Sequence, residues 1–232
     1  MAVFTIYGGM LLGILTDALA IPNSIAELAD WFVATAVPTA IYIALYRYSI
    51  QEQSLLNERY QRAVEKFLGE NQLTRKAGQI ELQNLAKKYR AELHSTIMLQ
   101  FCEFVRHSSS AYSDTTTDER IAEGLFDEVQ AVMQTMCSRS KATLRYEKRR
   151  RLCWNLRSSN LAEFDLSNLS LANLDLTDAN FAKTDLSNAC IMDTVQGLTI
   201  EQIKQAVWAS DSPPRIEGAV DAVTGQELVW PI

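Results

Sequence analysis

Two apolar stretches open the chain. Val3–Ala20 carries a single charge, Asp17, and Trp31–Tyr46 carries none. A bilayer core takes about 20 apolar residues, with about 17 near the lower limit. The pair, separated by Ile21–Asp30, therefore predicts a transmembrane helical hairpin over residues 1–50; two buried helices of a soluble core are the alternative. A GxxxG at Gly9 and Gly13 and a row of small residues at Ala36, Ala40 and Ala44 would let helix backbones approach closely. Tyr42, Tyr46, Tyr48 and Arg47 at one end, with Trp31 at the other, resemble interfacial anchors. Pro38 predicts a kink in the second helix.

Past residue 50 the apolar positions become periodic. Gln51–Leu68 has apolar points at Leu55, Tyr60, Val64, Phe67 and Leu68, close to helical spacing. Thr74–Tyr89 places Ala77, Ile80, Leu82, Leu85, Ala86 and Tyr89 largely on one face. Ile97, Met98, Phe101, Phe104 and Val105 repeat the spacing of a core-facing stripe. Short helices joined by few residues predict antiparallel hairpins. Ser108–Thr117, rich in Ser and Thr, reads as a loop, and Leu125, Val129, Val132, Met133 and Met136 mark another helix. A helical domain over 51–157 follows.

From Ser159 the chain reads in fives as SNLAE, FDLSN, LSLAN, LDLTD, ANFAK, TDLSN and ACIMD. The third column is Leu161, Leu166, Leu171, Leu176, Phe181, Leu186 and Ile191, a structural repeat core. Period five fits neither simple element. On a helix, successive leucines would lie about 140° apart, and on a strand an odd period flips them to opposite faces. Keeping all of them inside requires a corner in every repeat, and the Asp, Asn and Ser beside the leucines suit corners. Residues 158–197 form this segment, and 198–232 a capping helix and tail. Thr199 and Gln202 have capping-box spacing, with Leu198 and Ile203 as a hydrophobic staple.

Charge changes the picture in two places. The whole chain carries 22 Lys and Arg against 28 Asp and Glu, a net of −6, which argues against a chain-wide cationic nucleic-acid binder. Arg139–Arg157 nevertheless concentrates eight bases against Glu147 alone. Lys148, Arg149, Arg150 and Arg151 could meet an anionic surface, or the run could be a solvated helix face offset by the acidic segment after it. No Lys or Arg precedes Arg47, so the positive-inside rule puts both termini in the cytoplasm. Four cysteines, at 102, 137, 153 and 190, have neither metal-ligand spacing nor short-range pairing. With His94 and His107 the only histidines and no Gly-rich loop, no catalytic, metal or cofactor site is expected.

The five-residue pattern resembles the pentapeptide-repeat proteins, with their A-(D/N)-L-x-x motif. That resemblance implies a right-handed quadrilateral β-helix of four pentapeptides per coil, here with the bulkier Phe164, Leu169 and Leu174 before the Asp/Asn column. Asn57–Lys66, Arg75, Gly78, Leu82–Ala86, Ile97–His107, Asp127–Met133 and Ser212–Trp230 resemble one bacterial subfamily. It joins a membrane anchor, a short helical domain and a pentapeptide tail. This chain departs from it with Lys76, Gln79 and Glu81 where the group has apolar residues.

The expected fold class is therefore α+β: a transmembrane hairpin, an α-helical middle domain, a short β-helix and a capping helix. The expected place is the bacterial inner membrane. The expected function is a membrane-anchored, non-enzymatic protein-interaction scaffold, with the membrane, an unidentified protein and a second copy of the chain as partners. The alternative is a membrane effector that self-associates and perturbs the bilayer in stress or phage defence. Mimicry of DNA toward a topoisomerase is disfavoured by length. About two coils at about 4.8 Å spacing span on the order of 10 Å, which is about three base pairs.

Overall fold

A computed structural model describes residues 25–111 and 119–228. The chain divides into two compact units, Met1–Gln61 and Arg62–Ile232. The helices are α1 (Ile25–Phe67), α2 (Gln72–Lys88), α3 (His94–Ala111), α4 (Glu119–Cys137), α5 (Lys141–Arg150) and α6 (Ile200–Gln205). The strands are β1 (Trp154–Asn155), β2 (Leu174–Asp175), β3 (Cys190–Met192) and β4 (Arg215–Glu217).

This architecture overturns the α+β expectation. The described chain is mostly helical, its strands are two or three residues long, and no β-helix solenoid forms. The cause is local. Ser158, Glu163, Asn168, Asn173, Asp178, Lys183 and Asn188 all take left-handed backbone, with φ from 54° to 66°. A left-handed corner every fifth residue leaves two or three residues to extend before the chain turns again.

The membrane expectation is overturned as well. Among the described residues no helix is long and apolar enough to cross a membrane, so the transmembrane hairpin and the inner-membrane location both fall. The uncharged stretch Trp31–Tyr46 ends against Asp30 and Arg47 and is interspersed with Thr35, Thr39 and Tyr42. At about 1.5 Å per residue it reaches roughly 24 Å, short of an apolar core of about 30 Å. Val3–Ala20, with Gly9, Gly13 and Asp17, lies outside the described residues. α1 continues through Pro38 as one helix. In the first unit Val37, Ile41, Ile43, Leu45, Ile50 and Leu55 are all exposed, as are Tyr46 and Tyr48.

In the second unit, α2, α3 and α4 pack around Leu82, Ile97, Phe101, Val105, Val129, Val132, Met133 and Met136, all buried. Ala63 and Phe67, at the end of α1, join this core, with the Phe67 ring 5.5 Å from Phe101 and 4.9 Å from Phe104. α2 starts where Asn71 Oδ1 accepts the Leu73 amide at 2.8 Å. Its buried face is Gly78, Gln79, Leu82 and Ala86, whereas Ala77 and Ile80 are exposed. Gly78 decides that rotation, because a Cβ there would overlap the Phe67 backbone nitrogen. Gln79 is satisfied by donating to Thr135 Oγ1 at 2.9 Å, and Arg75 grips Glu128 with two bonds of 2.8 and 2.7 Å.

Residues 154–228 form a stack of turns held by parallel pairing. Trp154 meets Leu174, Asn160 meets Asn180, Asp165 meets Asp185 and Ser170 meets Cys190, each 20 residues on. Leu161, Leu166, Leu171, Leu176, Phe181, Leu186 and Ile191 are all buried between the layers. Phe164 is buried too, its ring 4.8 Å from Phe126 of α4, so a bulky residue at this column packs against the helices. The helices are also hydrogen-bonded to the stack. Gln130 and Asp165 exchange two bonds, and Asn160 N donates to Ser109 Oγ. Thr199 and Gln202 make the capping box that starts α6, and Gln202 Nε2 donates to the Leu176 and Ala179 carbonyls.

Candidate functional site

A buried polar cluster lies where α5 meets the stack. Ser140 caps α5, accepting the Thr143 amide at 3.2 Å. Arg151 ends the helix in left-handed conformation, φ 53°. One turn before that end Glu147 points inward and is fully buried. Its Oε1 lies 2.7 Å from His94 Nε2, and its Oε2 accepts from Arg139 Nη1 at 2.7 Å and Asn173 Nδ2 at 2.8 Å. Burial pushes this carboxyl up, but the His94 bond, the Arg139 charge and the Asn173 bond outweigh it and hold Glu147 below the usual carboxylate range. The His94 ring stands edge-on to Trp154 at 5.7 Å. Helices α3 and α5, the Arg139 loop and the stack all meet at this carboxylate.

Arg139 connects this cluster to a cleft. Its side chain is 5% exposed, and Nη2 donates to the Ala172 carbonyl at 2.6 Å. Nε has no hydrogen-bond partner. The cleft runs between α5 and the stack and encloses about 780 Å³. Lys141, Arg145 and Lys148 line it from the helix, and Arg215 lines it from β4. Asp193 and Glu217 are its acids, and Lys148 Nζ pairs with Asp193 at 3.0 Å.

The sequence-predicted residues distribute unevenly around these features. Of the four-base run, Lys148 reaches the cleft. Arg149, Arg150 and Arg151 are exposed outside its lining, with Arg150 over the Tyr146 ring at 5.5 Å. Ala36, Ala40 and Ala44 are exposed on α1. The repeat carboxylates Asp165, Asp175 and Asp185 each accept the amide two residues on, at 2.9, 3.2 and 2.8 Å, the bond that shapes an Asx turn. Burial pushes the thiols of Cys102 and Cys137 up, to about 12 and about 11. Among the described residues no group of three or more His, Cys, Asp or Glu could hold a metal ion. Sequence alone does not join Glu147, His94, Arg139 and Asn173, because Glu147 lies 53, 8 and 26 residues from His94, Arg139 and Asn173. No family model matches the chain, and neither a curated protein nor a solved structure matches it.

Proposed function

We propose that this protein is a non-enzymatic interaction module that assembles through α1, with a second copy of the chain as its first partner. The supporting observation is the exposed apolar surface of residues 37–55. Val37, Ile41, Ile43, Leu45, Ile50 and Leu55 are each between 46% and 54% exposed, Tyr46 is 50% and Tyr48 67% exposed. Val37, Ile41, Leu45 and Leu55 fall on one side of the helix at about 100° per residue; apolar surface exposed along one side marks an interaction site, and each Å² covered returns about 25 cal/mol. This stretch is too short and too interrupted to lie across a membrane, and too apolar to favour standing bare in water.

Another helix suits the surface. Ala36, Ala40 and Ala44 recur every fourth residue and so share one face. The small row lets a partner backbone come close while Val37, Ile41 and Leu45 interleave beside it. Two copies offering the same face to each other form an isologous, closed pair.

Light scattering on the eluting full-length chain tests this. The wild type elutes with a mass above one chain that rises with concentration. The Ile41→Glu, Leu45→Glu variant elutes as a single chain with an unchanged unfolding midpoint for the second unit. A wild type that stays at single-chain mass at every concentration, or a variant that assembles equally well, overturns the reading.

A further inference from the structure

We infer that the cleft between α5 and the turn stack binds an acidic peptide segment. The inference deepens the interaction-module reading by naming what the second unit recognises.

Charge comes first. The lining holds five bases, Arg139, Lys141, Arg145, Lys148 and Arg215, against Asp193 and Glu217, in a chain whose net charge is −6. A cleft with low-dielectric walls concentrates such a reversal and draws in anions. Lys141, Arg145 and Lys148 fall at i, i+4 and i+7 on α5, so they stand along one helix face. Lys148 is engaged by Asp193, but Lys141, Arg145 and Arg215 make no ion pair among the described residues.

The second observation is Arg139. Its guanidinium is held at the cleft by Glu147 and the Ala172 carbonyl, 95% shielded from water, with the Nε hydrogen unanswered. These two bonds fix the guanidinium in the cleft wall. The group is immobilised in advance, so little side-chain entropy remains to be lost on binding.

The remaining lining selects a peptide among anions. Leu144 and Met192, both half-buried, add apolar surface to the lining, which a side chain can cover and a phosphate cannot. Asn168, Asn188 and Ser170 on the stack wall offer donors and acceptors to an extended backbone. The cleft, of about 780 Å³, is large enough to hold a few peptide residues.

A fluorescein-labelled decapeptide of glutamate supplies the test, with decaglutamine and inorganic phosphate as comparisons and the full-length chain as the receptor. Decaglutamate binds, and its affinity falls about tenfold or more between about 0.05 and about 0.5 M salt. In the ¹⁵N spectrum it moves the Arg139 Nε–H signal and the amides of residues 141–148, 188–194 and 215–217. Arg145→Ala with Arg215→Ala, both exposed positions, weakens binding about fivefold or more, while Arg149→Ala with Arg151→Ala leaves it unchanged. Three results overturn the inference: no binding at millimolar decaglutamate, binding that follows Arg149 and Arg151, or inorganic phosphate or decaglutamine reproducing the same shifts. Assembly through α1 is read separately by light scattering, so a failure there and a failure here are distinguishable.

Discussion

Glu147 is the residue on which the second unit turns. It is fully buried, and its three partners come from α3, from the loop before α5 and from the stack. Because its folded carboxyl sits below the usual range, the stability it contributes is complete above the unfolded value. That contribution is lost as pH falls through the lowered folded value. Removing one partner of a buried pair costs about 3–5 kcal/mol, so Glu147→Gln lowers stability by that order at neutral pH. Urea unfolding followed from about pH 7 to about pH 3 should show a steep acid loss in the wild type and a flatter one in the variant. Equal slopes would remove Glu147 from this role. Nothing in the local sequence marks the residue, which stands as a lone acid in a basic run. Its partners are supplied by tertiary folding, so the site was legible only as a charge imbalance.

Among the elements, what was legible followed from strong periodicity and cap chemistry. The leucine column is buried, and Thr199 and Gln202 start a helix with both reciprocal bonds in place. Hydrophobicity alone ranks Ala77 and Ile80 above Gly78 and Gln79 on α2, and the packed helix reverses that order. Close approach to the end of α1 requires a residue without a side chain, and Gln79 finds an acceptor across the interface. Gly78→Ala therefore forces α2 away from Phe67 and costs about 1–3 kcal/mol as overpacking. Thermal unfolding measures it, and an unchanged midpoint would mean that the two backbones separate at no cost. In the repeat, the Asp and Asn beside the leucines set Asx turns, but the left-handed fifth column is what limits the strands. That column, mostly Asn and Asp with one Lys and one Glu, was the available signal for a turn stack over a sheet.

At the scale of the whole molecule, two surfaces stand uncovered among the described residues. One is the apolar length of α1, which composition alone made look membranous. Counting residues against bilayer thickness shows the stretch to be shorter than an apolar bilayer core, and the cover proposed for it is another helix. The other is the basic cleft, where the α5 bases were visible in sequence but Arg215, 67 positions beyond Lys148, was not connected to them. An interaction module with one surface for assembly and one for ligand accounts for both.

Amide hydrogen exchange over residues 36–55 of the full-length chain tests the central claim most directly. A helix standing alone in water frays and exchanges readily, whereas one packed against a partner is protected to the free energy of assembly. The account predicts protection in the wild type that grows with protein concentration and collapses in the Ile41→Glu, Leu45→Glu variant. Exchange over 36–55 as fast in the wild type as in that variant, at every concentration, would contradict it.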